Sequence, residues 1–400
     1  MESDVSIHCN ACPPTGPAPL TGKSFAVQPN ISVRGWRTEA GTSALRGFVA
    51  VENATIIDRL QKAGAAIVAI DDMSELGFGP DGNAATAALL QGRADMVLMT
   101  DMMGEARTTA ARTGVIAFKP THGIVSRYGW IGLAPSMECC SLLARTPKEM
   151  AGVMGVMAGE DERDFSLYRG EMPDFTSGAR NARPIRKIGV ARTPLSALSE
   201  LEAGAFRKGL DRLGAMGLEV RDVDIADQDL FPIVHRVIGS VEASSSCGRY
   251  DGVRYGYRTA ASTKNWNEMY LLSRGESFGM PLKAYLFQGA YFQFKNYAAF
   301  ENAARIRARL VHNLEGLLTQ VDVLISPTRR GAVPKGSDKT VGDIYDECAL
   351  TLPANVTGLP AVQIPGYVLD GDVDLGLQVI GSRLSDARLL SLAVSLSHGA

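Results

Sequence analysis

Short apolar segments alternate with helix-like segments along most of this chain, and that alternation restricts the fold more than any other feature of the sequence. The expected strands lie at residues 25–27, 65–70, 96–99, 188–191 and 321–327. The expected helices lie at residues 55–63, 84–91, 201–216 and 297–318. In the first of these helices, Ile56, Ile57 and Leu60 share one face, as in a helix that packs against a core. Because helices that alternate with apolar strands cover both faces of a sheet, the sequence predicts an α/β fold.

Size and charge narrow the class of protein. A chain of 400 residues with 46% hydrophobic and 21% charged composition has enough apolar side chains for a large buried core. The net charge is only −2, and Lys and Arg are scattered, so the sequence gives no reason to expect a nucleic acid partner. No run of about 18 apolar residues occurs, so no membrane span is expected.

The cysteines favour a reducing, cytoplasmic location. Six cysteines in a chain of this length do not form a disulfide framework, and the neighbours Cys139 and Cys140 are expected to be packing residues. Cys9 and Cys12 lie in residues 1–20, a proline-rich stretch that is expected to be a flexible tail without a signal peptide. No second CxxC or histidine pair follows at metal-ligand spacing, so no zinc site is expected there.

One run, Asp-Met-Met-Gly-Glu-Ala-Arg from Asp101 to Arg107, is the most informative motif of the chain. It is accompanied by Phe-Lys-Pro-Thr-His-Gly at 118–123, Val-Ser-Arg-Tyr-Gly at 125–129 and Tyr-Asp-Gly-Val-Arg-Tyr-Gly at 250–256. With these segments the chain resembles the amidase signature family, in particular the A subunits of the tRNA-dependent glutamine amidotransferases. The resemblance runs from about residue 22 to the C-terminus. It implies an amidase-signature fold for residues 21–400, a single domain with a large mixed β-sheet surrounded by helices.

The resemblance also implies that the usual catalytic residues are missing. Family members hydrolyse amides with a serine nucleophile, a second serine and a lysine, because a serine hydroxyl attacks only when a base removes its proton. Backbone N–H groups of the glycine-rich turn before the nucleophile hold the oxyanion. Residue by residue, Glu105 stands at the nucleophile, Asp81 at the second serine and Gln28 at the lysine. The amide of Gln28 does not titrate near neutral pH and cannot replace the lysine as a base.

One hypothesis is that the replacement acids perform a different reaction. Asp81, Glu105 and Glu138 are expected to converge, so that mutual repulsion raises one pKa and leaves a proton donor beside an ionised base. Glu105 and Asp81 would then act as an acid/base pair on a small carbonyl- or amide-containing metabolite, by isomerisation, cyclisation, elimination or hydrolysis. The residues expected to support this pair are Glu138, Asp101, Arg107 and Gln28.

The ligand of such a site is expected to be a small molecule held around the turn. The residues assigned to substrate binding are Met102, Met103, Gly104, His122 and Tyr285. Tyr285 opens an aromatic stretch that reaches Phe294 and is interpreted either as helix core or as a pocket wall. In glutamine-using members an arginine that grips the substrate carboxylate precedes a glycine by four or five positions. Ala284 and Tyr285 stand there before Gly289, so glutamine is not the expected substrate.

Two other interpretations stay open. The chain can be a catalytically inert binding subunit or sensor, with a protein or a second copy of itself as partner, or an amidase of unorthodox mechanism. Three carboxylates could also hold Mg²⁺ or Mn²⁺. No histidine has convincing ligand spacing, however, and His235 and His312 are interpreted as ordinary helix residues. Neither a metal nor a cofactor is expected.

Overall fold

The computed structural model of the chain describes residues 18–69, 72–80, 84–175, 183–191, 198–331, 339–367, 369–370 and 373–397. The strands are β1 (Ser24–Val27), β2 (Ala66–Ala69), β3 (Met96–Asp101), β4 (Ile116–Lys119), β5 (Cys139–Ala144), β6 (Lys187–Ala191), β7 (Glu219–Val223), β8 (Val323–Pro327), β9 (Ala361–Ile364), β10 (Leu369–Asp370), β11 (Val373–Asp374) and β12 (Leu377–Gly381). The α-helices are α1 (Thr55–Lys62), α2 (Ala84–Leu90), α3 (Glu105–Thr113), α4 (Met150–Met157), α5 (Glu200–Ala215), α6 (Leu230–Ser246), α7 (Trp266–Ser277), α8 (Met280–Phe294), α9 (Tyr297–Leu317), α10 (Val341–Cys348), α11 (Leu352–Thr357) and α12 (Asp386–Ser397). Three residues discussed above, Cys9, Cys12 and Asp81, lie outside the described residues.

Ten strands form one mixed sheet in the order β2-β1-β3-β5-β4-β9-β12-β8-β6-β7. Its two sides are parallel, since β1 pairs in parallel with β2 and β3, and β6 with β7 and β8. Its middle is antiparallel, from β3 through β5, β4, β9 and β12 to β8. The strands β10 and β11 form a separate antiparallel pair. The predicted α/β fold with a large mixed sheet is confirmed.

Helices cover both faces of this sheet, so its central strands are buried along their whole length rather than on alternate residues. Every residue of β3, β5, β9 and β12 is buried. On one face, α1, α4 and α12 pack in an apolar cluster that includes Ile56 and Leu389. On the other face, α6, α8 and α9 pack in a second cluster, which includes Tyr285 and Leu314.

Two further expectations concern the adjacent cysteines and membrane-spanning helices. Cys139 and Cys140 are buried free thiols within β5, as expected for packing residues. No helix in the described part of the chain is both long and apolar enough to cross a membrane.

The sheet brings distant parts of the chain together at the end of β3. This strand ends at Asp101, opposite Cys139 of β5, and residues 102–104 connect it to α3. Helix α11 lies against this connection, since the Asn355 side-chain amide donates to the carbonyl oxygen of Asp101 at 3.1 Å. The motif of residues 101–107 is therefore enclosed by segments that lie about 250 positions later in the chain.

Candidate functional site

The connection between β3 and α3 is a tight turn that requires glycine at one position. Gly104 immediately precedes α3 with a φ of 112°, outside the range that other residues readily adopt. A Cβ atom there would lie 1.9 Å from Oγ1 of Thr351. The same hydroxyl lies 2.6 Å from the carbonyl oxygen of Met103. The turn and the start of α11 are thus in direct contact.

The carboxyl group of Glu105 folds back onto this turn. Its Oε2 accepts hydrogen bonds from the backbone N–H groups of Met102 and Met103, both at 2.8 Å. The residue is 1% exposed. Its Oε1 is buried and has no hydrogen-bond partner among the described residues. Glu105 therefore occupies the paired N–H donors of the turn with its own side chain.

Glu105 is an acid that holds its proton at neutral pH. Burial, assisted by the negative charge of Asp101, raises the pKa of Glu105 from 4.5 to about 8, against the opposing effect of the N–H donors of the turn. Because those two donors occupy Oε2, the proton resides on Oε1. A buried O–H group without an acceptor is energetically unfavourable, so Oε1 is the atom of this side chain that still lacks a hydrogen bond.

Asp101 and Arg107 form a buried ion pair beneath the turn. Two nitrogens of the Arg107 guanidinium donate to the two carboxylate oxygens of Asp101, each at 3.0 Å. Arg107 also donates to the carbonyl oxygen of Thr351 and to the side-chain oxygens of Asn355 and Gln378. Although burial alone would raise it, the charge and hydrogen bonds of Arg107 lower the pKa of Asp101. The pair supports the turn structurally, and Asp101 supplies the charge that acts on Glu105.

Gln28 lies just after β1, beside β3. Its Oε1 accepts a hydrogen bond from the backbone N–H of Thr100 at 3.0 Å. The Thr100 hydroxyl lies 3.4 Å from the same oxygen and accepts from the Asn30 side chain at 3.0 Å. Gln28 is thus part of a buried hydrogen-bond network that links β1 to β3, in which its side-chain oxygen acts as an acceptor.

Glu138 belongs to a different set of contacts from Glu105. Its Oε2 accepts from Arg127 at 3.1 Å and from the backbone N–H of Leu133 at 3.2 Å. Burial raises the pKa of Glu138, although Arg127 opposes the shift. The electrostatic neighbour of Glu105 is Asp101 instead. Since Asp81 lies outside the described residues, the expected convergence of three acids stays a prediction.

The residues assigned to substrate binding lie in three different environments. The side chains of Met102 and Met103 are buried in the second apolar cluster, and only their backbone groups face Glu105. His122 donates from Nε2 to the carbonyl oxygen of Pro135 at 3.0 Å, and burial lowers its pKa to about 4, so its ring is neutral. Gly104 forms part of the turn itself. Substrate binding by these five residues stays a prediction.

Tyr285 is connected to the turn through two residues that the sequence did not single out. Its ring stacks on Phe78 with centroids 4.5 Å apart, and its hydroxyl lies 3.0 Å from that of Tyr345. Tyr345 lies 2.8 Å from Nδ1 of His235, whose Nε2 lies 3.1 Å from the carbonyl oxygen of Met102. Burial lowers the pKa of His235 to about 4, so the neutral ring donates from Nε2 and accepts at Nδ1.

These contacts form a chain from Tyr285 through Tyr345 and His235 to the turn. Burial raises the pKa of Tyr285, and the charges of Glu242 and, more weakly, of Glu105 add to this effect. His235 was interpreted as an ordinary helix residue, and it is a buried packing residue with two hydrogen bonds. Its position in the middle of α6, far from any motif, gave no signal of its proximity to residue 102.

The described polar groups at the turn can bind a ligand or donate a proton. Among the described residues, no group of three or more His, Cys, Asp or Glu side chains could hold a metal ion. The polar groups at the turn include the acid of Glu105, the ion pair of Asp101 and Arg107, and the backbone N–H groups of Met102 and Met103. An acceptor that reached Oε1 of Glu105 would take a hydrogen bond, or the proton itself.

Known proteins of one family are similar to almost the whole chain. A family model described as Amidase matches residues 14–88 and 82–390. The chain is 32% identical over 414 residues to the A subunit of the Glutamyl-tRNA(Gln) amidotransferase of Natronomonas pharaonis, in a match that covers 96% of this chain and 97% of that relative. It is 30% identical over 407 residues to the protein of the same name from Symbiobacterium thermophilum, covering 94% of this chain and 82% of that relative.

A solved structure agrees with the fold. The crystal structure of the A subunit of the Glutamyl-tRNA(Gln) amidotransferase from Thermotoga maritima matches with a TM-score of 0.77 at 24% identity. The match covers 98% of this chain and 84% of that one. At this identity the likeness establishes the arrangement of the sheet and its helices, and leaves the chemistry to be argued from the residues at the turn.

Proposed function

Because this chain belongs to the amidase family, as its motifs predicted, we propose that it is a member without serine-dependent amide hydrolysis that acts as a binding subunit. One observation carries the proposal: Oε2 of Glu105 takes the N–H groups of Met102 and Met103 at 2.8 Å. In the family, the N–H groups of this turn hold the oxyanion of the reaction. An oxyanion needs donors at about 2.7–3.1 Å.

Two further features support this proposal. Glu105 stands where the family has its nucleophile, and a neutral carboxylic acid is a poor nucleophile. Gln28 stands where the family has its lysine, and its oxygen accepts a hydrogen bond from Thr100. A substrate carbonyl that entered this turn would therefore meet occupied donors, with neither a serine at residue 105 nor a lysine at residue 28.

The proposed role as a subunit is supported by the names of its relatives. The proteins from Natronomonas pharaonis and Symbiobacterium thermophilum are both named as one subunit of an amidotransferase. We infer that this chain likewise works with a protein partner. Its turn is then either closed to substrates or a site that binds a ligand. We infer further that residues 21–400 form one domain, since the sheet draws strands from Ser24 to Gly381. The free buried cysteines support the expected cytoplasmic location.

The test is a hydrolysis assay on the purified protein. Ammonia release is measured from glutamine, asparagine and a panel of small primary amides, for the wild type and for Glu105→Gln. We expect both proteins to release ammonia at the rate of buffer alone. Glu171→Gln, at an exposed position, is the matched control. Turnover by the wild type and by Glu171→Gln that is lost in Glu105→Gln would contradict the proposal.

A second candidate is favoured by a different observation, the unpartnered Oε1 of Glu105 in the described structure together with its pKa of about 8. These are the properties of a general acid that works near neutral pH. In this case Glu105 and Asp81 would form an acid/base pair on a small carbonyl- or amide-containing metabolite. A thermal-shift screen of such metabolites would identify a ligand, because a compound that binds the native state raises the melting temperature.

The second candidate has its own signature. Turnover of the ligand found in that screen should fall above about pH 8, as Glu105 loses its proton, and should disappear in Glu105→Gln. A ligand that stabilises the wild type and is not turned over would instead support the binding subunit. Turnover that is unchanged in Glu105→Gln would exclude Glu105 as the acid.

A further inference from the structure

Helix α8 is apolar on two opposite faces, although only one of them is covered. Its inner face, with Leu282, Tyr285, Leu286 and Gly289, is buried against α6. The contact is so close that a Cβ atom on Gly289 would lie 1.8 Å from the carbonyl oxygen of Ser240. A helix that is apolar all round is normally buried on every side. The outer face of α8 is therefore unusual, because it is apolar and yet exposed.

The outer face carries a row of four large apolar side chains, here called the α8 stripe: Met280, Phe287, Tyr291 and Phe294. Met280, Phe287 and Phe294 are 74%, 75% and 74% exposed, and Tyr291 is 53% exposed. At 3.6 residues per turn these four positions fall within about 60° of arc and span roughly 21 Å of the helix. The stripe follows the helix from its first residue to its last. Isolated surface residues do not produce such an alignment.

The surroundings of the stripe have the composition of an interface. Lys283 and Lys295 lie along its edges, which leaves Phe287 and Tyr291 in an uncharged centre. A Tyr/Phe centre with charges at the rim is the usual anatomy of a protein interface. Tyr297, the first residue of α9, is 53% exposed and extends the apolar surface past the end of the helix.

We propose that the α8 stripe is the interface of a homodimer, in which it packs on the same stripe of a second copy. At roughly 200 Å² for a large side chain, the exposed parts of the stripe and Tyr297 present about 650 Å². A stable interface buries about 800 Å² per partner, so this surface accounts for most of what each partner of a dimer requires. A straight stripe on one helix is also self-complementary under two-fold symmetry, the commonest symmetry of oligomers.

The weak charge of the chain is compatible with this pairing. A net charge of −2 gives two copies little long-range repulsion. The proposal is independent of the proposed function, because the stripe residues are exposed whereas Glu105 and the turn are buried.

The test is the mass of the full chain in solution. Sedimentation and light scattering between about 1 and 50 μM should give the wild type twice the chain mass of 42.7 kDa. The double variant Phe287→Glu, Tyr291→Glu places charges in the centre of the interface and should raise the dimer dissociation constant at least 100-fold. Phe165→Glu, at a side chain that is 87% exposed elsewhere on the surface, should remain dimeric.

A wild type that remains monomeric at 50 μM would overturn the proposal, and a partner of another kind would then cover the stripe. A double variant that remains dimeric with the wild-type constant would also overturn it. If the double variant does not fold, hydrogen exchange of the wild type at low and high concentration replaces it. Peptides of α8 should then be protected only at high concentration, and equal exchange in α8 at both would reject the stripe as the interface.

Discussion

At the scale of single residues, the decisive group is the carboxyl of Glu105. Its Oε2 is well placed, with two N–H donors at 2.8 Å, whereas its Oε1 is buried without a partner among the described residues. Oε2 therefore holds the side chain on the turn, whereas a negative charge on Oε1 would be buried without a hydrogen-bond donor. The raised pKa of Glu105 follows from burial first and from Asp101 second. The free energy of unfolding should therefore depend on pH through Glu105.

The free energy of unfolding should decrease as pH rises between about 4.5 and 8 because of Glu105. In the unfolded chain this group loses its proton near pH 4.5, whereas in the folded chain it keeps the proton until about pH 8. The folded state binds more protons in this window, so stability falls with rising pH, by at most about 1.4 kcal/mol per pH unit. Glu105→Gln keeps an acceptor oxygen for the two N–H groups and cannot ionise. The variant should therefore gain stability relative to the wild type as pH rises.

Urea denaturation at half-unit steps from pH 4.5 to 9 measures this difference. The gap between Glu105→Gln and the wild type should widen up to about pH 8 and then stay constant. Glu171→Gln, an exposed control, should follow the wild-type curve at every pH. A gap that does not change with pH would show that Glu105 is ionised in the folded protein.

The sequence identified the residues of the turn but not how they are arranged. The motif placed an acid at residue 105, and the pKa of this acid is raised first by burial and second by Asp101. The expected convergence of Glu105 with Asp81 and Glu138 stays a prediction. The return of the Glu105 side chain onto its own turn depends on the φ of Gly104 and on the contact with Thr351. Neither can be read from local pattern.

At the scale of elements, Arg107 ties three of them together. From α3 it donates to Asp101 at the end of β3 and to the side chain of Asn355 in α11. Both members of the ion pair are fully buried. Removing one charge would leave the other buried and unpaired, which is far more destabilising than losing an exposed ion pair.

Arg107→Met should accordingly lower the free energy of unfolding by about 3–5 kcal/mol. Arg221→Met is the matched control, because Arg221 pairs with Glu219 at the surface and both side chains are about half exposed. That variant should lose less than about 1 kcal/mol. Denaturant unfolding of the three proteins makes the comparison, and similar losses for both variants would mean that the Arg107 pair contributes no more than a surface contact.

Element boundaries were predictable where one face of a segment is polar. Helix α1, expected at 55–63, is observed at Thr55–Lys62. The strand expected at 321–327 is observed at Val323–Pro327, and the carboxylate of Asp322 just before it accepts from the backbone N–H groups of Arg186 and Lys187. For α8 the sequence could not distinguish helix core from pocket wall. Both of its faces are apolar, and the structure assigns one to the core and the other to the surface.

At the scale of the whole molecule, the sheet order could not be derived from local pattern. Alternating strands and helices predicted the fold class, but the antiparallel middle pairs β4 with β9 across some 240 residues. Such a pairing depends on long-range contacts that periodicity does not encode. The family resemblance supplied the mixed sheet, since it rests on motifs spread over the same distance.

The proposed dimer predicts a property of the whole molecule that its sheet alone would not give. If folded chains associate through the α8 stripe and unfolded chains do not, association stabilises the native state by mass action. The melting temperature of the wild type should therefore rise by a few degrees when the concentration increases from about 1 to 50 μM. Phe287→Glu with Tyr291→Glu should remove this dependence, whereas Phe165→Glu should retain it. Differential scanning fluorimetry across that range makes the measurement, and a wild-type melting temperature independent of concentration would contradict association through the stripe.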